Sequence, residues 1–322
     1  MSADGEEERV AVTAESRVHG GARGTRYSHL LDKEEWLGPL MFGPAVLYMV
    51  LVVGFAFFLA LYYSLSNITV GSRSLEYVGL RNFASVLGTP KFIASLKNSL
   101  VFAIGSQVLV LILANVLALT LQKDFRGKWM VRFLILLPWV APISLGTIGW
   151  LWILDSIYSV INWTLQAAGL IGPDNWPMYL GVPRLAMGSV ITVHVWRLLP
   201  LATVILLAGL SSIPQDIHDA AQVDGASFWR HYFQVTTPLL VPVSTVAFLF
   251  GLVFAFTDLV VIFVLTRGGP YDTTQVLTTL AFFTGIQGGD LAEGAAISLF
   301  LFPLLVAAAI GFLRIARRAE VV

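Results

Sequence analysis

The chain has 322 residues, 57% of them hydrophobic and only 12% charged, with a formal net charge of zero and no cysteine. Soluble domains carry roughly 25% charged residues, so this composition describes a membrane protein, and its neutral balance offers no bulk basic surface for nucleic acid. Disulfides, thiol nucleophiles and thiolate metal sites are excluded, and the five histidines show no metal-ligand spacing such as His-Glu-x-x-His.

Residues 1–36 mix Glu6, Glu7, Glu8, Arg9, Arg17, Arg23 and Arg26 with Gly, Ala, Ser and Thr. The segment is too polar to bury a core and has no helical period, which predicts a disordered tail. It lacks the short basic start and immediate apolar run of a secretory signal, so the first hydrophobic segment is expected to stay in the protein.

Six apolar runs follow, at about 37–64, 93–121, 131–154, 187–211, 239–266 and 294–314. Each reaches the ~20 residues that a transmembrane helix needs. The predicted fold class is an all-α integral membrane protein with six transmembrane helices in one domain, 37–318, followed by a short tail, 319–322. Pro138, Pro142, Pro200 and Pro303 fall inside or near the ends of runs. In lipid such breaks persist only where neighbouring helices or a cavity satisfy the freed carbonyls, so the helices should pack against protein.

Lys and Arg near the helix ends set the orientation. Thirteen of them lie in the N-terminal tail, the 122–132 loop, the 212–238 loop and the C-terminus, against six on the opposite side. Both termini and the 212–238 loop are therefore expected in the cytoplasm. The loops 65–92 and 267–293 are then the expected external surfaces.

The 212–238 loop is the long polar interruption of the second half. Ser212 is expected to cap a helix, with Pro214 in its first turn and Gly225 in the left-handed conformation that ends it. Ser227 caps a second helix carrying Phe228, Trp229, Tyr232 and Phe233, which Pro238 stops before the fifth span. Ile217, Ala220, Ala221 and Asp224 recur at i, i+3, i+4 and i+7, giving a face with two small residues that a partner can approach closely. The alternative is an amphipathic hairpin on lipid headgroups, but Asp216, Asp219 and Asp224 against one nearby base suit a protein partner better.

In the fifth run Gly251, Phe254, Ala255 and Asp258 share the same spacing and so one helical face. An acid in hydrocarbon costs about 2.5–3.5 kcal/mol on insertion scales. Asp258 is either a hydroxyl acceptor beside a stacking ring, as a sugar requires, or one half of a structural pair with Arg197 or His194. The residues Phe92, Trp139, Trp150, Trp152 and Trp196 read as interface belts and packing.

Asp219-Ala220-Ala221, three residues, Gly225, nine residues and Val235-Thr236-Thr237-Pro238 follow a known spacing. This segment resembles the loop by which importer permeases of the ATP-binding-cassette (ABC) class grip their ATPase, written Glu-Ala-Ala, three residues, Gly, nine residues, Ile-x-Leu-Pro. Asp219 replaces Glu, and Val235 and Thr237 stand where Ile and Leu are usual. Other stretches are similar to the carbohydrate branch related to the larger maltose-transporter subunit and the glycerol-phosphate permeases. They are Tyr77 to Phe83, Phe133 to Pro142, Ala208 to Pro214 and Val264-Leu265-Thr266-Arg267-Gly268-Gly269-Pro270, in the family's order across residues 36–318. Ser159 stands where a Gly often precedes Ile161-Asn162.

The resemblance implies a permease subunit forming half of a translocation path for a sugar or sugar-like solute in a bacterial inner membrane. It implies a second permease, two cytoplasmic ATPase subunits and an external solute-binding protein. The chain has no Gly-x-x-x-x-Gly-Lys-Ser/Thr phosphate loop, so ATP and Mg belong to the ATPase subunits and no cofactor is expected here. Asp219, Ala220, Ala221, Asp224 and Gly225 are the coupling candidates. Leu198, Leu201, Gly251, Phe254, Ala255 and Asp258 match sugar-path positions of the maltose-type relatives, although Leu198 and Leu201 also read as ordinary helix packing.

Other classes fit less well. A gradient-driven transporter typically shows related halves with matching broken helices, and none is evident. An ABC permease for a non-sugar solute lacks the Leu-Thr-x-Gly-Gly-Pro stretch. A membrane enzyme needs a nucleophile or metal cluster, and neither spacing is present.

Overall fold

The computed structural model describes residues 34–72, 75–172 and 174–319. The expected N-terminal tail lies outside these residues apart from Glu34, Glu35 and Trp36, which begin the first helix, and the expected C-terminal tail lies outside them apart from Ala319. Among the described residues the regular elements are helices, and one antiparallel bridge joins Ser66 to Tyr77. The chain divides into two compact units at Leu59 and Ala60.

In the first unit α1 (Glu34–Met49) runs through a π-helical turn, Val50–Gly54, into α2 (Phe55–Ser64), whose residues from Ala60 on belong to the second unit. Leu40–Ser64 is long and apolar enough to cross a membrane. Side chains such as Met41, Phe42, Val50 and Phe55 are exposed, a surface that only lipid or protein can cover at low cost.

The second unit is a helical bundle. It contains α3 (Arg81–Leu87), α4 (Pro90–Gln122), α5 (Lys128–Val140), α6 (Ile143–Ile153), α7 (Val160–Ala167), α8 (Pro183–Ser212), α9 (Gln215–Val223) and α10 (Phe228–His231). A π-helical turn, Tyr232–Thr236, leads into α11 (Thr237–Thr257), followed by α12 (Val260–Leu265), α13 (Leu277–Phe282), α14 (Leu291–Leu299) and α15 (Leu301–Ala319).

Helix α4 starts where Thr89 Oγ1 accepts the Phe92 N–H, with Pro90 in the first turn where a missing donor costs nothing. Its buried stripe runs Phe92, Ser95, Ser99, Phe102, Ala103, Ser106, Gln107, Val110, Ala114, Ala118 and Leu121. The small members bring α8 against it along the most extensive helix pair of the molecule, and α11 closes the third side. Two apolar cores result: one around Phe102, Val190, Val193, Ala255 and Ile262, the other around Val110, Leu198, Leu206 and Leu240.

Three of the predicted runs are not single straight helices. The third, 131–154, is the pair α5 and α6, bent by 98°. Ala141 takes extended angles because the ring of Pro142 disfavours helix at the preceding residue. The fifth ends as a helix at Thr257, and Asp258 leaves the helical path before α12 begins. The sixth is interrupted at Phe300, where Pro303 has no N–H for the Leu299 carbonyl. By length and composition the described helices give five spans, or six with the bent pair as one.

The segment 267–293 also departs from the expected external loop. Helix α13 is buried at Leu277, Thr279 and Leu280, and Ser99 on α4 accepts the Leu277 N–H at 2.9 Å. Its short apolar stretch fills the gap beside α3 and α14. Gly268-Gly269-Pro270 does stop a helix. Thr274 Oγ1 donates to the Gly269 carbonyl and meets Thr266 Oγ1 at 2.7 Å, pinning the turn.

Candidate functional site

The polar loop after α8 folds as a helical pair. Ser212 remains in α8, its hydroxyl donating to the Gly209 carbonyl, so it is not the cap of the next helix. Helix α9 begins after Pro214, with Asp216 in its first turn, where a carboxylate complements the helix dipole. At its end Gly225 has φ +71°. The Ala226 N–H donates to the Ala221 carbonyl and the Gly225 N–H to the Gln222 carbonyl, each at 3.0 Å. This paired bonding is the Schellman arrangement, which needs a left-handed residue where Gly225 stands.

Pro238 does not stop the second helix. Phe228–Thr257 is one 30-residue span candidate that passes through the π-helical turn. That turn precedes Pro238 in the first turn of α11, so the register change accommodates the missing proline donor. Helix α10 is thereby continuous with the fifth span.

Two contacts lock the pair. His218 Nδ1 and His231 Nε2 share a hydrogen bond of 2.9 Å, joining α9 to α10. Tyr232 Oη donates to Asn115 Oδ1 at 3.4 Å, tying the turn to α4. The sequence carries no signal for the histidine pair, because residues 13 apart meet only once the Gly225 turn has formed.

The coupling candidates separate on this frame. Asp219, Ala220, Asp224 and Gly225 are exposed, and Asp219 Oδ1 accepts from Gln215 Nε2 at 3.0 Å. Ala221 is buried at 8% exposure and faces its own chain. The large apolar side chain most exposed on α9 is Val223, at 88%, which the predicted face did not include. The reason is that α9 rotates Ala221, the middle of that face, inward to pack.

The six path candidates do not converge on one surface. Leu198 and Ala255 are each 2% exposed and sit in the two apolar cores. Leu201 is half-buried, and half-buried Phe254 meets Trp139 of α5 edge-on at 5.5 Å. Gly251 lies under Gln107 of α4, so close that a Cβ there would overlap the amide oxygen. Gln107 was missed in the sequence, though a carboxamide within an apolar run was the available signal. It is fully buried and neither amide atom has a protein partner.

Asp258 does not continue the face of Gly251, Phe254 and Ala255, because the helix ends one residue earlier. Its Oδ2 accepts from His194 Nδ1 at 2.7 Å and lies 3.5 Å from Arg197 Nη1, while Oδ1 accepts the Val261 N–H at 3.1 Å. Its carbonyl accepts from Thr278 Oγ1 at 2.9 Å. The carboxylate thus caps the α12 backbone and joins it to α8, while the Asp258 backbone carbonyl ties in α13. Both alternatives for the structural pair, His194 and Arg197, are realised at once.

The described residues thus form long packed spans with a polar helix pair continuous with one of them. Residues 110–319, about two thirds of the chain, match the family described as binding-protein-dependent transport system inner membrane component, and the chain belongs to that family. It is 34% identical over 294 residues to a trehalose/maltose transport system permease protein, MalF, of Thermococcus litoralis, covering 90% of this chain and 97% of that one. It is 29% identical to the trehalose transport system permease protein SugA of Mycobacterium tuberculosis, covering 96% and 94%. Among solved structures, a chain of a bacterial alginate ABC transporter in complex with an alginate pentasaccharide-bound periplasmic protein shares the fold. The TM-score is 0.76 at 21% identity, covering 89% of this chain and 96% of that one.

Proposed function

We propose that this chain is one permease subunit of an ATP-driven importer, forming half of the path for a sugar or sugar-like solute delivered by an external binding protein. Both termini and the α9–α10 pair lie in the cytoplasm, and the pair docks on an ATPase subunit. A second permease completes the path. Two ATPase subunits hold ATP and Mg, since this chain has no phosphate loop. The family, the relatives named for trehalose and maltose transport, and the fold shared with the alginate transporter chain support this reading.

The observation that carries the mechanism is the continuity of α10 with the fifth span, Phe228–Thr257. A helix pair braced by His218–His231 and fused to a span moves as one piece. When ATP closes the ATPase pair, a displacement of α9 passes through that brace into α11. Because α11 packs on α4, α8 and α15, the bundle is carried from inward-open to outward-open. Hydrolysis resets it. The lever shifts the equilibrium only if its contact with the ATPase differs between the two states.

The absence of native cysteine gives a clean test. Ala220→Cys is paired with single cysteines placed on the ATPase surface of the purified complex. The expected result is a disulfide between the subunits and loss of substrate-stimulated ATP hydrolysis, restored by reductant. If no cross-link forms, and uptake into vesicles follows an ion gradient without ATP, the reading fails.

A further inference from the structure

We propose that Arg197, midway along α8, is a solute-binding residue of this subunit, its guanidinium presenting free N–H donors to adjacent hydroxyl groups of a saccharide in the translocation path. The proposal rests on the sugar-import reading and names the residue through which this chain meets its solute. Arg197 is not among the path candidates read from the sequence, where it stands only as a partner for Asp258.

A cation in the middle of a span is costly in hydrocarbon, so such a residue faces the bundle interior or a water-filled cavity. Asp258 accounts for only part of this one. Its Oδ1 takes the Val261 N–H and its Oδ2 is occupied by His194 Nδ1 at 2.7 Å, which leaves Arg197 Nη1 at the long distance of 3.5 Å. Among the described residues no other group bonds the guanidinium, and its Nε and Nη2 are not enclosed. The Arg197 side chain is 22% exposed, against 0% for His194 and 1% for Asp258. Leu201, one turn further along α8, is half-buried as well. The carboxylate of this cluster is therefore enclosed and satisfied, and its open side consists of N–H donors.

Charge balance decides which acceptor those donors suit. Arg197 and Asp258 cancel. His194 Nε2 is enclosed without a partner, a position that a bare acceptor tolerates better than an N–H, so the imidazole adds no charge. A carboxylate from a neighbouring subunit would bring an uncompensated charge to this depth, which is expensive to bury. A lipid tail has no acceptor at all. A hydroxyl oxygen meets a donor and adds no charge, and the planar fork of Nε–H and Nη2–H can engage two acceptors at once. Adjacent hydroxyls of a sugar ring supply such a pair. Because His194 and the Val261 N–H hold Asp258 by themselves, the guanidinium can turn toward a solute without unmaking the buried bonds.

The test is ATP-driven uptake by the complete transporter in liposomes. The binding protein is saturated beforehand with trehalose or maltose, whichever is carried, or with each monodeoxy analogue of that sugar, so that its own preference drops out. Wild type is compared with Arg197→Met and with Arg197→Lys, which keeps the charge beside Asp258 but loses the fork. In wild type at least one deoxy analogue should show kcat/KM lower by roughly tenfold, the scale of a hydrogen bond to a charged group. That discrimination should all but vanish in Arg197→Met and shrink partway in Arg197→Lys, which carries the comparison alone if Arg197→Met fails to assemble. A purely structural role, or a contact with the second permease, slows every sugar by the same factor and preserves the discrimination. That outcome overturns the proposal and leaves the import reading standing, as does a wild type that carries the parent sugar and all its deoxy forms alike. If wild type takes up neither trehalose nor maltose under ATP, the import reading fails and the proposal with it.

Discussion

His194 on α8 and Asp258 at the end of α11 meet at 2.7 Å with side-chain exposures of 0% and 1%. The carboxylate is therefore held in a buried pair between two spans. Asp258→Ala strands His194 inside the bundle and is expected to cost about 3–5 kcal/mol, whereas His194→Ala leaves Asp258 with Arg197 and the Val261 N–H and should cost less. Denaturant unfolding of the purified protein in mild detergent measures it. The double variant should cost clearly less than the two singles together, and strict additivity would show that the pair is not coupled.

Gly251 permits the contact of α11 with α4. Gly251→Ala pushes a methyl into the Gln107 amide and should destabilise by about 1–3 kcal/mol through overpacking. Shortening the neighbour in Gly251→Ala with Gln107→Ala should recover much of that loss. A harmless Gly251→Ala would mean that the Gln107 amide swings aside and does not set the contact of α11 with α4.

Gly225 has open space around its missing side chain but φ +71°. Gly225→Ala therefore meets no clash and bears only the left-handed strain of about 1–2 kcal/mol. Gly225→Asn should be milder. Substrate-stimulated ATP hydrolysis should fall in the order Gly, Asn, Ala, and equal activity in all three would show that this turn does not set the position of α9.

The His218–His231 bond joins the lever to the span. In His231→Ala the α9 amides should exchange hydrogen faster while those of α8 remain protected, and each sugar molecule carried should consume more ATP. Unchanged exchange across α9 would show that the Gly225 turn alone holds the pair.

Asp155 gives a pH dependence. The Tyr158 and Ile157 N–H groups hold its carboxyl below the ordinary value of 3.8. Because the folded value is depressed, the contribution is complete above 3.8 and fades as pH falls through the lower folded value. Tryptophan emission from Trp163 and Trp176 should change only under such acid conditions, and Asp155→Asn should remove that change. A transition nearer neutrality would mean that another group governs the turn.

Much of this was legible in the chain itself. Long apolar runs with twelve charged residues in every hundred leave helices in a bilayer as the simplest outcome. Spacing also placed the Gly225 turn, since φ and side-chain size are local properties of one residue. Pro142 was one of several prolines in or near the runs, but that it and not Pro138 or Pro200 marks a 98° bend was not legible in the chain.

The rest required three dimensions. A helical period cannot say which residue ends a helix, and the fifth run stops at Thr257 because Asp258 gains more from His194 and the α12 backbone than from another turn. Nor can a period orient a helix around its axis, so the face centred on Ala220 and Ala221 was divided when Ala221 turned inward. Gln107 above Gly251, and His218 against His231, are contacts between separate helices. Local chemistry and hydropathy are written residue by residue, and the sequence by itself determined the membrane class, the apolar runs and the turn of the polar loop. Which buried polar groups find each other is a property of packing, and only the tertiary structure decided it.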